Sequence, residues 1–251
     1  DVLTSIEKIG QIVDKDLEAQ EGKKSVFKDG INIEFDNVSY KVPEREKAIL
    51  KNISLKITEK SRILVKGESG SGKSTLFRII LGIIEPTSGN VYINNMSISS
   101  LHLNHYRSQL GMSLSEESPF EGTIKENLTF GNIKISDENI YNILDKVGLT
   151  QFIKEQPMGL QTIINAEGNQ LSYTIAKKII LARAILKEPK VLILEDPLDR
   201  FDQVEMKNII GYLTDKSQPW ALIVVSTSKN WTEKCDELIL LEKGKATFQK
   251  I

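Results

Sequence analysis

The chain has 251 residues, of which 40% are hydrophobic and 27% are charged, an ordinary composition for a globular domain. Its 33 basic residues nearly balance its 34 acidic ones, so nothing favours a nucleic-acid partner. One cysteine cannot form an internal disulfide, and with only two histidines it makes a poor transition-metal site. The apolar runs are too short to span a bilayer, which takes about 20 residues.

Residues 1–28 are predicted to form an entering helix and a linker. Apolar residues recur at helical spacing over residues 1–20, and the polar segment 21–24 then breaks the pattern. A frayed amphipathic tail is the alternative interpretation. Because the chain begins at Asp1 rather than at a methionine, we expect it to be a piece of a longer protein.

From residue 31 onward the sequence predicts an α/β fold. Alternating apolar residues over 31–40 and 48–57 predict two strands around a polar loop. A strand at 62–65, a glycine-rich turn and a helix at 76–81 then follow in the order of a βα unit. Further buried strands are predicted at 191–194, 221–225 and 238–241, and further helices at 137–147, 172–186 and 204–213. The stretch from about 100 to 188 is mostly helical, with no strong strand, and is predicted to be a subdomain inserted into the sheet domain.

The glycine-rich turn matches the pattern G-x-x-x-x-G-K-[ST] of a P-loop. Its residues are Gly67, Glu68, Ser69, Gly70, Ser71, Gly72, Lys73, Ser74 and Thr75. The glycines let successive main-chain N–H groups point toward one place, and the following helix adds its positive N-terminal end, so a polyphosphate is the expected ligand. We expect Lys73 to contact the β- and γ-phosphates and the Ser74 hydroxyl to bind Mg²⁺.

Further motifs follow the P-loop in a recognisable order. Residues 120–128 read FEGTIKENL, Leu171 and Ser172 open a helix, and residues 181–184 read LARA ahead of the strand at 191–194. Asp202 and the segment 236–244 come after that strand. In this order the motifs resemble those of the nucleotide-binding domain of ATP-binding-cassette (ABC) transporters of the exporter type, and the likeness covers about residues 31–249.

The resemblance implies a fold, ligands and partners. The fold is a P-loop NTPase core with a mixed sheet, a small antiparallel β subdomain and an inserted helical subdomain, here over residues 29–251 with the helical part at about 100–188. The ligands are ATP and Mg²⁺. The partners are a transmembrane domain, expected in the same polypeptide, and a second nucleotide-binding domain, identical or different, at the cytoplasmic face of the membrane.

The signature motif departs from the family's pattern. The two glycines of the family's LSGGQ sequence are replaced by Tyr173 and Thr174, and its glutamine is replaced by Ile175. In the family these glycines let the backbone approach a partner's ATP, so the bulk of a tyrosine ring predicts a weaker closed dimer.

The two carboxylates after the strand at 191–194 are exchanged relative to the family. Glu195 stands where the family has an aspartate that helps to bind Mg²⁺, and Asp196 stands where it has the glutamate that polarises the attacking water. Each carboxylate is therefore displaced by one methylene group, and Asp196 is only a weak candidate for the base.

Three more positions complete the expected site. Ser115 stands at the position of the Q-loop glutamine, which reaches toward Mg²⁺, and Thr227 stands at the position of the H-loop histidine. Neither side chain is as long as the one that it replaces. The aromatic residue that stacks on adenine in the family aligns with Val42, and Tyr40, two residues earlier, is predicted to point to the same face.

The sequence predicts the ATP-binding domain of an ABC exporter that couples ATP binding to transport, with weak or absent hydrolysis, because the phosphate-binding loop is intact while the water-activating groups are replaced. Two other interpretations stay open: a non-hydrolysing nucleotide-sensing or scaffolding module, and a soluble ABC ATPase that is not involved in transport. His102 and His105 are interpreted as solvated loop residues, and Lys177 and Lys178 as the solvated face of the signature helix.

Overall fold

The computed structural model describes residues 27, 30–43 and 47–251. The predicted entering helix at residues 1–20 lies outside these residues, as does most of the predicted linker up to residue 28. Among the described residues, no helix is both long enough and apolar enough to cross a bilayer.

The elements follow the predicted alternation of strands and helices. The strands are β1 (Ile33–Tyr40), β2 (Leu50–Ile57), β3 (Arg62–Lys66), β4 (Ser88–Ile93), β5 (Met96–Ser97), β6 (Leu110–Ser113), β7 (Gly122–Thr123), β8 (Ile163–Ile164), β9 (Val191–Glu195), β10 (Ala221–Val225), β11 (Glu237–Glu242) and β12 (Lys245–Lys250). The helices are α1 (Lys73–Ile80), α2 (Leu103–Ser108), α3 (Ile124–Thr129), α4 (Asp137–Lys146), α5 (Thr150–Glu155), α6 (Tyr173–Leu186), α7 (Gln203–Thr214) and α8 (Lys229–Thr232).

A six-stranded mixed sheet in the order β12-β11-β3-β10-β9-β6 lies at the centre of the fold. Five of these strands are parallel, and β12 pairs antiparallel with β11. Every residue of β10 is buried, because the continuous apolar run of this strand is covered on both faces.

A smaller antiparallel sheet, in the order β2-β1-β4-β5, lies beside the central one. β1 and β2 are the predicted pair of strands, and in their register the buried residues Ile33 and Phe35 lie opposite Ile57 and Leu55. Alternate residues are buried in the regular part of each strand, as in Ile53, Leu55 and Ile57 of β2, and register shifts on both sides of Val38 interrupt this pattern.

Two apolar cores lie on opposite faces of the central sheet. In β3, Ile63 and Val65 belong to one core and Leu64 belongs to the other, because successive side chains of a strand point to opposite faces. The first core includes α1 and the small antiparallel sheet, and the second includes apolar residues of α3 through α8. The predicted fold class is confirmed: an α/β protein with a mixed sheet, a small antiparallel sheet and a separate group of helices.

Six strands of the described residues lie where the sequence predicted none, namely β4, β5, β6, β7, β8 and β12, and β6 is the one that joins the central sheet from the stretch predicted to be mostly helical. β6 falls within the stretch 100–188 and pairs in parallel with β9 at the edge of the central sheet. A Cβ atom on Gly111 of this strand would lie only 2.6 Å from the main-chain oxygen of Ala184. The strand is therefore held by close contact with α6 and by pairing with β9, both of which are long-range contacts that a local pattern does not contain.

Candidate functional site

The P-loop connects the end of β3 to the start of α1, and its glycines allow unusually close backbone contacts. A Cβ atom on Gly67 would lie 2.4 Å from the main-chain oxygen of Leu241, and one on Gly72 would lie 2.7 Å from Cδ2 of Leu50. Gly72, the residue before α1, also has φ of 109°, a conformation that side chains disfavour. The loop is therefore packed against β11 and β2 with no room for larger residues at these two positions.

Lys73 and Ser74 lie in the first turn of α1, where the family pattern requires them. The ammonium group of Lys73 donates hydrogen bonds to the main-chain oxygens of Gly67 and Glu68, both at 2.8 Å. The side chain is thereby folded back over the loop that precedes it. Ser74 is exposed. The first turn of α1 thus places the ammonium group of Lys73 and the exposed hydroxyl group of Ser74 next to the P-loop.

A cavity of about 500 Å³ opens on this loop and brings together residues that are far apart in the sequence. It is lined by the predicted residues Gly67, Ser69, Gly70, Gly72, Lys73, Ser74, Thr75, Glu195, Asp196 and Thr227. Strand order explains the convergence, because β3, β10 and β9 are parallel neighbours and their carboxyl ends meet at one edge of the sheet.

Tyr40, the residue predicted to stack on adenine, is not among the residues that line this cavity. Tyr40 ends β1 opposite Leu50 and is partly buried against the core that contains the small antiparallel sheet. Ile49 lines the cavity from this part of the chain instead.

Asp196 follows β9 directly and has an uncommon backbone conformation. Its φ is 41°, and its main-chain N–H donates to the oxygen of Val225 at 2.9 Å. Burial, followed by the nearby charges of Asp199 and Glu195, raises the pKa of its carboxyl group, and Lys73 opposes this effect. A raised pKa makes the carboxylate a stronger base, so the argument against Asp196 as the base rests on its short reach and not on its basicity.

Glu195, the last residue of β9, has a defined partner. The hydroxyl group of Ser115 donates to Oε2 of Glu195 at 3.1 Å. Ser115 and Glu195 were both predicted to lie near a magnesium ion, and the structure brings them into direct contact. Thr227, two residues after β10, is exposed at the wall of the cavity.

Tyr173 begins α6 and is held in place by the loop after β9. Its hydroxyl group donates to Oδ1 of Asp199 at 2.6 Å, and the guanidinium carbon of Arg200 lies 4.8 Å from the centre of its ring. Burial and the hydrogen bond to Asp199 raise the pKa of Tyr173 to about 12. The size of the Tyr173 ring is evident from the sequence, but the hydrogen bond with Asp199 could not be predicted from it.

Two interpretations of charged residues were wrong. Lys177 and Lys178 are buried, with relative exposures of 5% and 7%, so they do not form a solvated face of α6. Lys178 forms a salt bridge with Glu205 and lies 5.7 Å from the ring centre of Phe201. Neither lysine is recognisable from sequence as buried, because lysine is rarely found in a protein interior.

The histidines also have specific contacts. The Nδ1 atom of His102 accepts a hydrogen bond from the main chain of His105 at 3.2 Å and so caps α2. The ring of His105 stacks on Phe27, with 5.8 Å between ring centres. Their roles in this structure are helix capping and packing rather than those of solvated loop residues.

The residues of the cavity fit a polyphosphate with Mg²⁺. A glycine loop that leads into a helix can bind an anion through its main-chain N–H groups, and within the described part of the chain the buried hydroxyl of Ser71, in this loop, has no hydrogen-bond partner. The Ser74 hydroxyl and the Glu195 carboxylate, which line the cavity, could supply the oxygen ligands that Mg²⁺ prefers.

Comparison with known proteins identifies relatives of this chain. The family model for ABC transporters matches residues 50–199. The ATP-dependent permease MDL1 of Candida albicans is 34% identical over 216 residues, which cover 84% of this chain and 32% of that protein. The multidrug resistance-like ATP-binding protein MdlB of Buchnera aphidicola is 32% identical over 239 residues, which cover 95% of this chain and 41% of that protein. The chain spans less than half the length of these relatives.

A solved structure has the same fold. The structure of a bacterial Atm1-family ABC exporter with ATP bound matches with a TM-score of 0.88 and 22% sequence identity, over 98% of this chain and 43% of that one. The family model matches more than half of this chain and includes both the P-loop and the Glu195–Asp196 pair. The chain therefore belongs to the ABC transporter family.

Proposed function

We propose that this chain binds Mg-ATP through residues 67–75 and serves as the ATP-binding domain of an ABC exporter whose transport depends on ATP binding, while its own hydrolysis is very slow. The observation that carries the proposal is the cavity in which the glycine loop, Lys73, Ser74 and Glu195 converge. ATP supplies the phosphates and Mg²⁺ neutralises part of their charge. The loop amides and Lys73 bind the phosphates, and Ser74 and Glu195 hold the metal.

Slow hydrolysis is inferred from the residues around the expected γ-phosphate. Asp196 is one methylene shorter than the glutamate of the family, and a displacement of about 1 Å costs on the order of a hundredfold in rate. Thr227 is a neutral hydroxyl at the histidine position, and the Ser115 hydroxyl is already donated to Glu195. Binding and hydrolysis therefore separate, because the groups that grip the phosphates are kept while those that act on water are altered.

The arrangement of the whole protein is part of the proposal. We propose that residues 29–251 are the nucleotide-binding domain, with a helical subdomain at about 100–188, and that residues 1–28 connect it to a transmembrane domain. A second nucleotide-binding domain, identical or different, pairs with this one at the cytoplasmic face of the membrane. The relatives named above are two to three times as long as this chain, which supports a further domain.

The proposal is tested by measuring ATP affinity and phosphate release on the same preparation. Calorimetry is expected to detect Mg-ATP binding to the 251-residue chain, with phosphate release far below that of an active transporter. Lys73→Ala should abolish most of the binding, because it removes the only lysine that lies in the loop itself.

Lys187→Ala is the matched control. The ammonium of Lys187 also donates to two main-chain oxygens, those of Arg107 and Leu110 at 3.0 and 2.8 Å, but at the far end of α6. It should leave binding unchanged. Absence of binding by the unaltered chain refutes the proposal altogether, whereas rapid turnover that disappears in Lys73→Ala refutes only the slow hydrolysis.

A further inference from the structure

Lys177 lies inside the molecule, with its ammonium group directed at one short loop. Its Nζ atom donates to the main-chain oxygen of Ser115 at 2.6 Å and is 3.3 and 3.5 Å from those of Leu114 and Glu117. Lys177 is buried, with a relative exposure of 5%, whereas Ser115 is exposed and Leu114 and Glu117 are partly exposed. A single buried cation thus organises the carbonyl groups of a surface loop.

The same loop holds the metal-binding carboxylate proposed above. Ser115 donates to Oε2 of Glu195 through its hydroxyl at 3.1 Å, and its main-chain nitrogen lies 3.5 Å from the same atom. Both contacts depend on the orientation of one residue, and the carbonyl of that residue is the group bound most closely by Lys177. The contacts therefore run without a gap from α6 through Lys177 and Ser115 to Glu195 at the wall of the cavity.

We propose that Lys177 is a positioning residue for magnesium, which orients the Glu195 carboxylate by fixing the loop that carries Ser115. This inference rests on the proposed Mg-ATP site, since Glu195 is the metal ligand only there. Lys177 itself is not among the residues that line the cavity.

The chemistry of the contact explains why a lysine suits this role. An ammonium group has three donors and no acceptor, so it can bind several converging carbonyl groups at once. Hydrogen bonds from a charged donor are stronger than those between neutral groups, and they are stronger still where water is excluded. Without this group the loop would depend on weaker contacts, and the Ser115 hydroxyl would spend less time on Glu195. Pre-orientation of a ligand by its neighbours raises metal affinity.

The test separates the affinity for nucleotide from the contribution of the metal. Titration calorimetry with ATP is performed on the 251-residue chain in Mg²⁺ and in EDTA. The dissociation constant in EDTA divided by that in Mg²⁺ is the ratio that measures how much magnesium contributes to ATP affinity. Lys177→Met should reduce this ratio about fivefold, the value of roughly one hydrogen bond, while affinity in EDTA stays within about twofold.

Lys187→Met is the control, because it removes an ammonium that binds two carbonyls at the other end of the same helix. It should leave the ratio unchanged. An equal fall of the ratio in both variants would overturn the proposal, since it would mean that loss of a lysine at either end of α6 has the same effect.

A double-mutant cycle with Ser115→Ala tests the route. If Lys177 acts through Ser115, each single change lowers the ratio and the double change lowers it no further, because the residues act as one unit. Additive effects would overturn the proposal.

A milder variant guards against misfolding. Lys177→Gln keeps a donor toward the loop and is expected to give a ratio between those of the unaltered chain and Lys177→Met. A ratio for Lys177→Gln equal to that of the unaltered chain, in protein with unchanged affinity in EDTA, would contradict the proposed role of the ammonium. Loss of ATP binding by the unaltered chain in both buffers would instead refute the proposed function.

Discussion

Asp196 combines an uncommon backbone conformation with an unfavourable charge. A positive φ is tolerated by aspartate and asparagine more than by other residues with side chains, which fits the value of 41° at this position. Burial and two acidic neighbours raise the pKa of the carboxyl group. The folded state therefore holds the protonated form more tightly than the unfolded state, where the pKa is near 3.8.

Asp196→Asn is expected to raise the thermal stability of the chain at pH 7. The protonated carboxyl group of Asp196 stabilises the folded state at a pH below the pKa that it has in the unfolded chain. This stabilisation is lost as the pH rises through the higher pKa of the folded state, so at neutral pH the charged Asp196 destabilises the fold. The gain should be at most about 1 kcal/mol, because the side chain is partly exposed to water. Melting temperatures of both proteins, measured between pH 4 and pH 7, should converge toward the acidic end.

Asp145→Asn, at an exposed site on α4, serves as the comparison and should change the melting temperature little at either pH. A lower melting temperature of Asp196→Asn at pH 7 would contradict this account of the site. It would mean that the carboxylate makes a stabilising contact that outweighs the cost of its charge.

At the scale of elements, Arg183 joins α6 to α3 and to the segment that precedes α3. Its guanidinium carbon lies 5.3 Å from the ring centre of Phe120 and 4.7 Å from that of Phe130. Its Nε and Nη2 atoms donate to the main-chain and side-chain oxygens of Asn127 at 2.7 and 3.0 Å. Asn127 is fully buried and in turn donates to the main-chain oxygen of Phe120.

Arg183→Met is expected to lower the free energy of unfolding by about 3 kcal/mol. The change removes two hydrogen bonds to buried Asn127, whose Oδ1 atom then keeps only the bond from the main-chain N–H of Phe120, and it removes two cation–π contacts. Urea unfolding followed by circular dichroism measures the loss. The exposed Arg78→Met on α1 provides the reference and should fall within about 0.5 kcal/mol of the unaltered chain. Equal stability of the two variants would show that the Arg183 cluster contributes nothing.

Elements with a strong local pattern were predictable, and those defined by their neighbours were not. The apolar runs of β9 and β10 and the helical period of α6 are contained in the sequence of each element. β6 has only four residues, one of them glycine, and β12 is a largely exposed edge strand with mixed composition. Both form because an existing strand provides hydrogen bonds along one side.

The candidate site divides in the same way. The P-loop is a contiguous motif, and Glu195, Asp196 and Thr227 line the same cavity as this loop. The contact of Lys177 with Ser115 joins residues 62 positions apart, and that of Tyr173 with Asp199 joins residues 26 apart. Such contacts depend on how the helices pack, so no local pattern indicates them.

At the scale of the whole molecule, the P-loop and α6 are linked through the central sheet: the P-loop follows β3, α6 precedes β9, and both strands belong to that sheet. α6 leads into β9, and β9 carries Glu195 and Asp196 to the cavity. In the pairing proposed above, the start of α6 faces the nucleotide of a second domain. Tyr173 is 39% exposed there, with its hydroxyl group held by Asp199.

We expect this chain not to form a stable homodimer in Mg-ATP, because the Tyr173 ring must first move aside for a second chain to approach the start of α6. Moving it breaks a hydrogen bond to a charged group, which costs roughly 1.5–3 kcal/mol, or about a tenfold change or more in affinity. Tyr173→Gly removes both the ring and this cost, and should increase dimer formation at equal protein concentration in light scattering. Tyr173→Phe loses the hydrogen bond but keeps the ring, so it distinguishes the two causes. Dimerisation equal to that of Tyr173→Gly would assign the barrier to the hydrogen bond with Asp199. Dimerisation no greater than that of the unaltered chain would assign the barrier to the ring. A tight dimer of the unaltered chain in Mg-ATP would exclude both, because the tyrosine would then be compatible with the closed pair.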